Sequence, residues 1–141
     1  MSHTTTIRVR GYHCDFYGHV NNARFLEFLE EARWAYLEDS LDLAAWKRKN
    51  LGILVAALTI NYRRPAPVDT VLEIRSVVGE LGAKTGVIHQ EVVNQATGKR
   101  VADADVTFAV VDTLTGRSVP LTGEVRAVFE GPAPAAGGPG L

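Results

Sequence analysis

The stretch His13-Cys14-Asp15-Phe16-Tyr17-Gly18-His19-Val20-Asn21-Asn22 gathers residue types suited to attack on a carbonyl compound. Asp15 supplies a carboxylate on a loop, in reach of service as a nucleophile or a general base. Asn21-Asn22 offers an N-cap, because a short amide side chain accepts the first, otherwise orphaned, backbone N–H groups of a helix. The N–H groups near Asn21, Asn22 and Ala23 then point outward with the positive end of the helix dipole behind them. A carbonyl oxygen docked there is polarised, and an oxyanion developing on it is stabilised. Gly18 lets the loop fold back, so that Asp15, seven positions before Asn22, reaches the carbonyl carbon or a water beside it. A carboxylate with an oxyanion hole suffices for acyl transfer from a good leaving group. A thiolate, whose thiol has an ordinary pKa of ~8.5, leaves far more readily than an amine, so thioesters are the matching substrates.

Plainer roles compete at each position. An Asp beside a glycine commonly caps its own loop, and Asn21 and Asn22 are helix starters first. Cys14 points away from Asp15 on an extended segment and reads as a small buried hydrophobe. His13, Cys14, Asp15 and His19 lack a second cluster of ligands, so no metal centre is expected. Arg63 and Arg64 before Pro65, with Lys84 in a turn, are candidate partners for phosphates or ordinary surface charge. Tyr17, Phe25, Trp34 and Tyr36 line an acyl pocket or form core. Glu30 and Arg33, at i, i+3 spacing, read as an ion pair, and His89 as a solvated or core-edge residue.

The elements that must position this loop follow from hydrophobic periodicity. Alternation around Ile7-Arg8-Val9-Arg10 predicts a strand over about 5–11. Residues 23–39 have helical period: Phe25, Leu29, Ala32 and Tyr36 share a face widened by Phe28 and Ala35. Arg24, Glu27, Glu31 and Glu38 lie opposite. A short helix is expected over 41–49. Strands follow over 53–63, 68–80, 85–94 and 100–112, joined by turns at 81–84 and 95–98. Both faces of the 53–63 segment are partly apolar, as in a central strand. Residues 122–129 form a short helix or an irregular end. The segment 131–141 holds only Gly, Pro, Ala and Leu, and is expected to be a disordered tail after a single domain over 1–130. One sheet around one apolar helix makes an α+β domain whose open edges favour dimerisation.

The run Asp15-x-x-Gly18-His19-Val20-Asn21-Asn22-Ala23-x-Phe25-Leu26, continuing to Glu30-x-Ala32-Arg33, resembles the hotdog-fold acyl-CoA thioesterases of the 4-hydroxybenzoyl-CoA thioesterase type. His-Val-Asn-Asn is also similar to plant acyl-carrier-protein thioesterases of the same fold, although Tyr17 stands where those enzymes have Asn. The resemblance covers about 5–130, including Asn61-Tyr62-Arg63-Arg64-Pro65 and the hairpin at 81–85. It implies a long central helix wrapped by an antiparallel sheet of about five strands. It further implies dimers joined edge to edge, active sites between protomers, and pairs of dimers. The implied substrate is an acyl-CoA, with coenzyme A a part of it and no cofactor. Asp15 is then the catalytic carboxylate and the Asn22 N–H the oxyanion donor; Tyr17, Gly18 and Asn21 border the substrate. His19 orients a water or Asp15, or bonds the loop backbone. A non-catalytic acyl-CoA-binding module and an acyl-carrier-protein thioesterase are the alternatives. A hotdog hydratase would use an Asp–His pair, but the Asn-Asn helix start fits a thioesterase better.

With 141 residues, 15 Lys+Arg against 16 Asp+Glu and a net charge of -1, the chain has no basic excess for nucleic acid. The single Cys suits a reducing cytoplasm. No apolar run approaches the ~20 residues that cross a bilayer. Met1–Thr6 lacks the order of a signal peptide.

Overall fold

The computed structural model describes residues 2–131. The chain runs β1 (Ser2–Arg8), a 3-10 turn (Gly11–His13), α1 (Asn22–Ser40), α2 (Leu43–Arg48), β2 (Leu51–Tyr62), β3 (Val71–Leu81), β4 (Thr85–Asn94), β5 (Arg100–Asp112) and α3 (Gly123–Glu130). The five strands form one antiparallel sheet in the order β1-β3-β4-β5-β2. No helix is long and apolar enough to cross a membrane among the described residues. Of the expected tail, 132–141 lies outside the described residues, and Gly131 caps α3.

Period-two alternation gives the sheet two chemically distinct faces. Leu72 and Ile74 on β3, Ile88 and Val92 on β4, and Ala104, Val106 and Phe108 on β5 are buried towards α1. The opposite face carries Glu73, Arg75, His89, Glu91, Asp103 and Asp105, cross-linked by pairs such as Arg75–Glu73 at 3.1 Å and Arg100–Glu91 at 3.2 Å. From α1, Phe25, Phe28, Leu29, Ala32 and Tyr36 are buried, whereas Ala35 is only half-buried.

A polar knot fixes α1 on the sheet. The buried Gln90 donates through Nε2 to the Leu29 carbonyl and to Ser76 Oγ, both at 3.0 Å. Its Oε1 accepts from Arg33 Nη1 at 3.0 Å. Each buried group so satisfied would cost about 1–3 kcal/mol if orphaned. Arg33 therefore holds Gln90, and the ion pair expected with Glu30 does not form. Burial lowers the Arg33 pKa, and the nearby Glu30 charge opposes the shift.

Two strand starts and one strand's place in the sheet differ notably from expectation. β1 starts at Ser2 because the β-branched threonines alternate in burial and pair with β3, Thr5 opposite Ile74. β3 starts at Val71, since Asp69 adopts φ 71° and the chain turns there. The segment with two partly apolar faces, β2, lies at a sheet edge rather than in the centre.

Candidate active site

The loop before α1 is a small hairpin. Cys14 and Val20 form an antiparallel bridge, the Asp15 N–H donates to the His19 carbonyl at 2.8 Å, and the Gly18 N–H donates to the Asp15 carbonyl at 3.0 Å. Gly18 has φ 78°, the left-handed conformation that this turn requires and that glycine adopts without steric cost. The returning arm is tied to the body by the Val20 N–H on the Ala66 carbonyl at 2.9 Å and a bridge between His19 and Pro67. The Asn21 N–H donates to the His13 carbonyl at 2.9 Å, closing the loop against the helix start.

Asp15 sits at the base of this hairpin and is exposed in the isolated protomer. Its Oδ1 accepts from the Tyr17 N–H at 2.9 Å and, more weakly, from the His19 N–H at 3.4 Å. Oδ2 has no protein partner among the described residues. One oxygen therefore orients the carboxylate and the other is available, so capping and chemistry coexist in one side chain.

At the helix start, Asn21 is the N-cap: its Oδ1 accepts from the Ala23 N–H at 2.9 Å, and its carbonyl from the Arg24 N–H at 2.9 Å. The Asn22 N–H has no acceptor among the described residues, which leaves an aligned donor at the positive end of a 19-residue helix. Tyr62, at the end of β2, donates its hydroxyl to the Asn22 carbonyl at 2.8 Å and packs its ring 5.6 Å from Phe25. Its positioning contact was not read from the sequence, although a Tyr closing a strand next to two arginines was visible there.

The remaining candidates scatter. Tyr17 stands on the hairpin tip beside Phe16, their rings 5.5 Å apart and both exposed. The His19 ring makes no hydrogen bond among the described residues. Cys14 is half-buried with Sγ 3.6 Å from the Arg10 carbonyl. Arg63 makes a two-point contact with Asp103, Nε–Oδ2 at 2.8 Å and Nη2–Oδ1 at 3.2 Å, which raises the Arg63 pKa and holds Asp103 below the usual carboxylate range. Arg64 donates to the Arg100 carbonyl at 2.7 Å, and both arginines border an open depression with Arg100, Glu91 and Gly98. Lys84 is exposed on the β3–β4 turn, at the opposite end of the sheet. Thr85 lies eight positions before Val93 along β4, so Lys84 lies roughly 25 Å from Arg63 within one protomer. No group of three or more His, Cys, Asp or Glu is placed to hold a metal among the described residues.

Between α1, α2, β2 and α3 lies an apolar cavity of about 380 Å³, within the ~300–1,000 Å³ of small-molecule sites. Glu30, Arg33, Trp34 and Lys47 stand on its partly exposed side, and Trp46, Ile88, Phe108 and Phe129 on its buried side. Of the four aromatic residues proposed from the sequence as pocket lining, Trp34 lines this cavity. Phe25 and Tyr36 belong to the core.

Comparison with known proteins gives these features a context. The long-chain acyl-CoA thioesterase FadM of Escherichia coli K12 is 45% identical over 126 residues, spanning 89% of this chain and 96% of that protein. The acyl-CoA thioesterase YbgC of Haemophilus influenzae is 29% identical over 87% of this chain and 90% of its own length. The crystal structure of YbaW, a probable thioesterase from Escherichia coli, superposes with a TM-score of 0.84 at 45% identity, covering 90% of this chain and 96% of that one. A 4-hydroxybenzoyl-CoA thioesterase variant crystallised with 4-hydroxybenzoyl-CoA shares the fold alone, with a TM-score of 0.83 at 18% identity, over 91% of this chain and 98% of that one. The architecture is thus the α+β hotdog fold, a long helix against a five-stranded antiparallel sheet. The model of the thioesterase-like superfamily matches residues 9–129, and this chain belongs to that family.

Proposed function

We propose that the protein hydrolyses acyl-CoA thioesters to a carboxylate and free coenzyme A, with Asp15 as nucleophile or general base and the Asn22 N–H as oxyanion donor. The observation that carries this reading is the pairing of an acceptor-free N–H at the start of α1 with a carboxylate on the hairpin that leads into it. As the carbonyl is attacked, negative charge develops on its oxygen and meets a fixed donor and a helix dipole. The thiolate then leaves. His19, on the returning arm of the hairpin opposite Asp15, orients the water or Asp15, and Tyr17, Gly18 and Asn21 border the thioester. The chemistry needs no cofactor, since coenzyme A enters as part of the substrate.

The site is completed by a second copy. β2 is an edge strand with Leu54, Val55 and Tyr62 more than 40% exposed, and Leu26 and Trp34 of α1 are similarly open. Two β2 strands paired antiparallel bring the Tyr62 end of one beside the cavity-lining end of the other, at Ile53 and Val55. This arrangement sets Asp15 of one protomer next to the apolar cavity of a second copy, which receives the acyl chain. It also carries Lys84 of the second copy towards Arg63 and Arg64, where the phosphates of coenzyme A would bind. Pairs of such dimers give a tetramer, and the lone Cys14 suits a cytoplasmic enzyme. A long acyl chain, as in the name of FadM, fits the cavity's apolar walls.

A hydrolysis screen across acyl-CoA chain lengths and benzoyl-CoA, with free thiol detected, tests the activity; absence of thiol release from every substrate overturns it. Single turnover in isotopically labelled water separates the two roles of Asp15. Label in Asp15 identifies a mixed-anhydride route, and label only in the product identifies a base. Sedimentation measures the assembly.

A further inference from the structure

The cavity between α1 and β2 has a graded interior. Trp34 and Lys47 are exposed at one side, Arg33 is half-buried, and Phe108 and Phe129 at the other are almost fully buried. The charged groups thus stand where a chain enters and the rings where it ends. Phe108 is held from behind by an unusual neighbour. A Cβ built on Gly86 of β4 would lie 2.6 Å from Phe108 Cζ, 2.8 Å from its Cε1 and 2.8 Å from Leu81 Cδ2. Gly86 is not among the residues with positive φ, so its backbone does not demand glycine. A glycine inside a strand weakens it and marks a close approach. Here the approach is the edge of a phenyl ring, which sinks into the space that a side chain would fill. Phe108 then meets Phe129 at a centroid distance of 4.7 Å, and Trp46 closes the group edge-on at 6.1 Å from Phe129.

We propose that Phe108, seated on Gly86, is the floor that sets acyl-chain length in this cavity. The inference rests on the acyl-thioester reading above and names the specificity determinant of that site. A saturated chain entering past Trp34 runs along Ile88 and stops against the phenyl ring. The depth available is set by how far the ring drops into the β4 surface. Substitutions on the two sides of that contact therefore act in opposite directions. Gly86→Ala lifts the ring into the cavity and shortens the accepted chain, whereas Phe108→Leu lowers the floor and lengthens it. The double variant Gly86→Ala/Phe108→Leu restores the depth, because the smaller side chain tolerates the added methyl.

The chain has two tryptophans, Trp34 and Trp46, and both line this cavity, so intrinsic fluorescence reports its occupancy. The full-length protein and the three variants are titrated with free fatty acids of increasing length, and kcat/KM is measured on acyl-CoAs of the same lengths. Gly86→Ala is expected to lose about tenfold or more on the longest substrate that the wild type accepts, with the fluorescence affinity moving in step. Phe108→Leu gains on chains longer than the wild-type optimum, and the double variant returns towards the wild-type profile. Length profiles unmoved in every variant overturn the proposal, as do single variants that shift in the same direction. If Gly86→Ala does not fold, Phe108→Trp replaces it as the shortening variant, read by hydrolysis. Fatty-acid affinities that shift as expected, in a protein that releases no thiol, would sink the thioesterase reading and keep the gauge. Hydrolysis with an immovable length profile would do the reverse.

Discussion

Asp15 has two duties, and a single substitution separates them. Its Oδ1 caps the hairpin at 2.9 Å from the Tyr17 N–H, while Oδ2 has no partner among the described residues. Asp15→Asn keeps an acceptor oxygen for that cap and replaces the other oxygen by a neutral amide that can neither attack nor accept a proton. The hairpin therefore stays closed, and stability changes by no more than about 0.5 kcal/mol, the usual range for exposed positions. Loss of a general base removes roughly 10²–10⁴-fold in rate, which corresponds to about 3–5 kcal/mol of transition-state stabilisation. Asp15→Ala deletes both duties: activity falls as far, and the lost cap costs a further ~1 kcal/mol, lowering Tm by about 3 °C. Thiol release in single turnover, with Tm read by calorimetry on the same samples, gives both numbers. If Asp15→Asn retained more than about a tenth of wild-type kcat with an unaltered Tm, the carboxylate would be a loop cap alone and the catalytic assignment would be wrong.

Three further outcomes follow from named contacts. Tyr62→Phe removes the 2.8 Å hydrogen bond to the Asn22 carbonyl and loosens the helix start; a loss of about 1 kcal/mol is expected as a several-fold drop in kcat with little change in KM. Lys84→Ala is expected to raise KM for acyl-CoA several-fold and flatten its dependence on ionic strength, in line with an exposed charge worth about 1 kcal/mol or less; an unchanged salt dependence would remove Lys84 from the phosphate site. His89 lies between Asp105, 2.6 Å from Nδ1, and Glu80, 3.0 Å from Nε2, and the Asp105 hydrogen bond leads in raising its pKa above the ordinary ~6.5. Because the folded pKa exceeds the unfolded one, this stability is complete below the ordinary value and is lost as pH rises through the raised one. His89→Gln should therefore lower Tm by about 3 °C or less near pH 5.5 and hardly at all near pH 8.5, measured by differential scanning at low salt.

Much of this architecture was legible before any coordinates, and the gaps have physical causes. The Asn21 cap, the α1 stripe and the extents of β4 and β5 come from local rules, which the sequence states directly. The turn at Gly18 and the helix start at Asn21-Asn22 were read correctly because both are also local. Contacts between distant segments were not legible. Gln90 reaches across 61 residues to the Leu29 carbonyl, and nothing in an alternating strand announces that one polar residue turns inward to hold a helix. The same applies to Arg63, whose partner Asp103 lies 40 residues away. A cation read as a phosphate partner from its position beside a proline also has a carboxylate partner on the neighbouring strand. Gly86 is informative only with Phe108 in view, since the vacancy belongs to the pair.

β2 shows how a misplaced element can still carry information. Its two partly apolar faces read as a central strand, yet one of its edges is open and its side chains at Leu54 and Val55 are more than 40% exposed. An exposed, apolar edge strand is a template for pairing, and stable proteins blunt such edges with charge, proline or a bulge. β2 has a register shift between Val55 and Ala57, but its twelve residues contain no charged side chain and no proline. The composition is therefore that of a central strand in a larger sheet, which is what the proposed pairing with a second copy would make it. A lysine at Leu54 would put a charge on that edge without touching Asp15, Asn22 or the lining of the cavity. Leu54→Lys is expected to convert the assembly to protomers in sedimentation and to abolish hydrolysis, since each protomer then lacks the cavity that its partner provides. Full activity in a monomeric Leu54→Lys protein would mean that one chain holds the whole site, and the shared-site geometry would have to be abandoned.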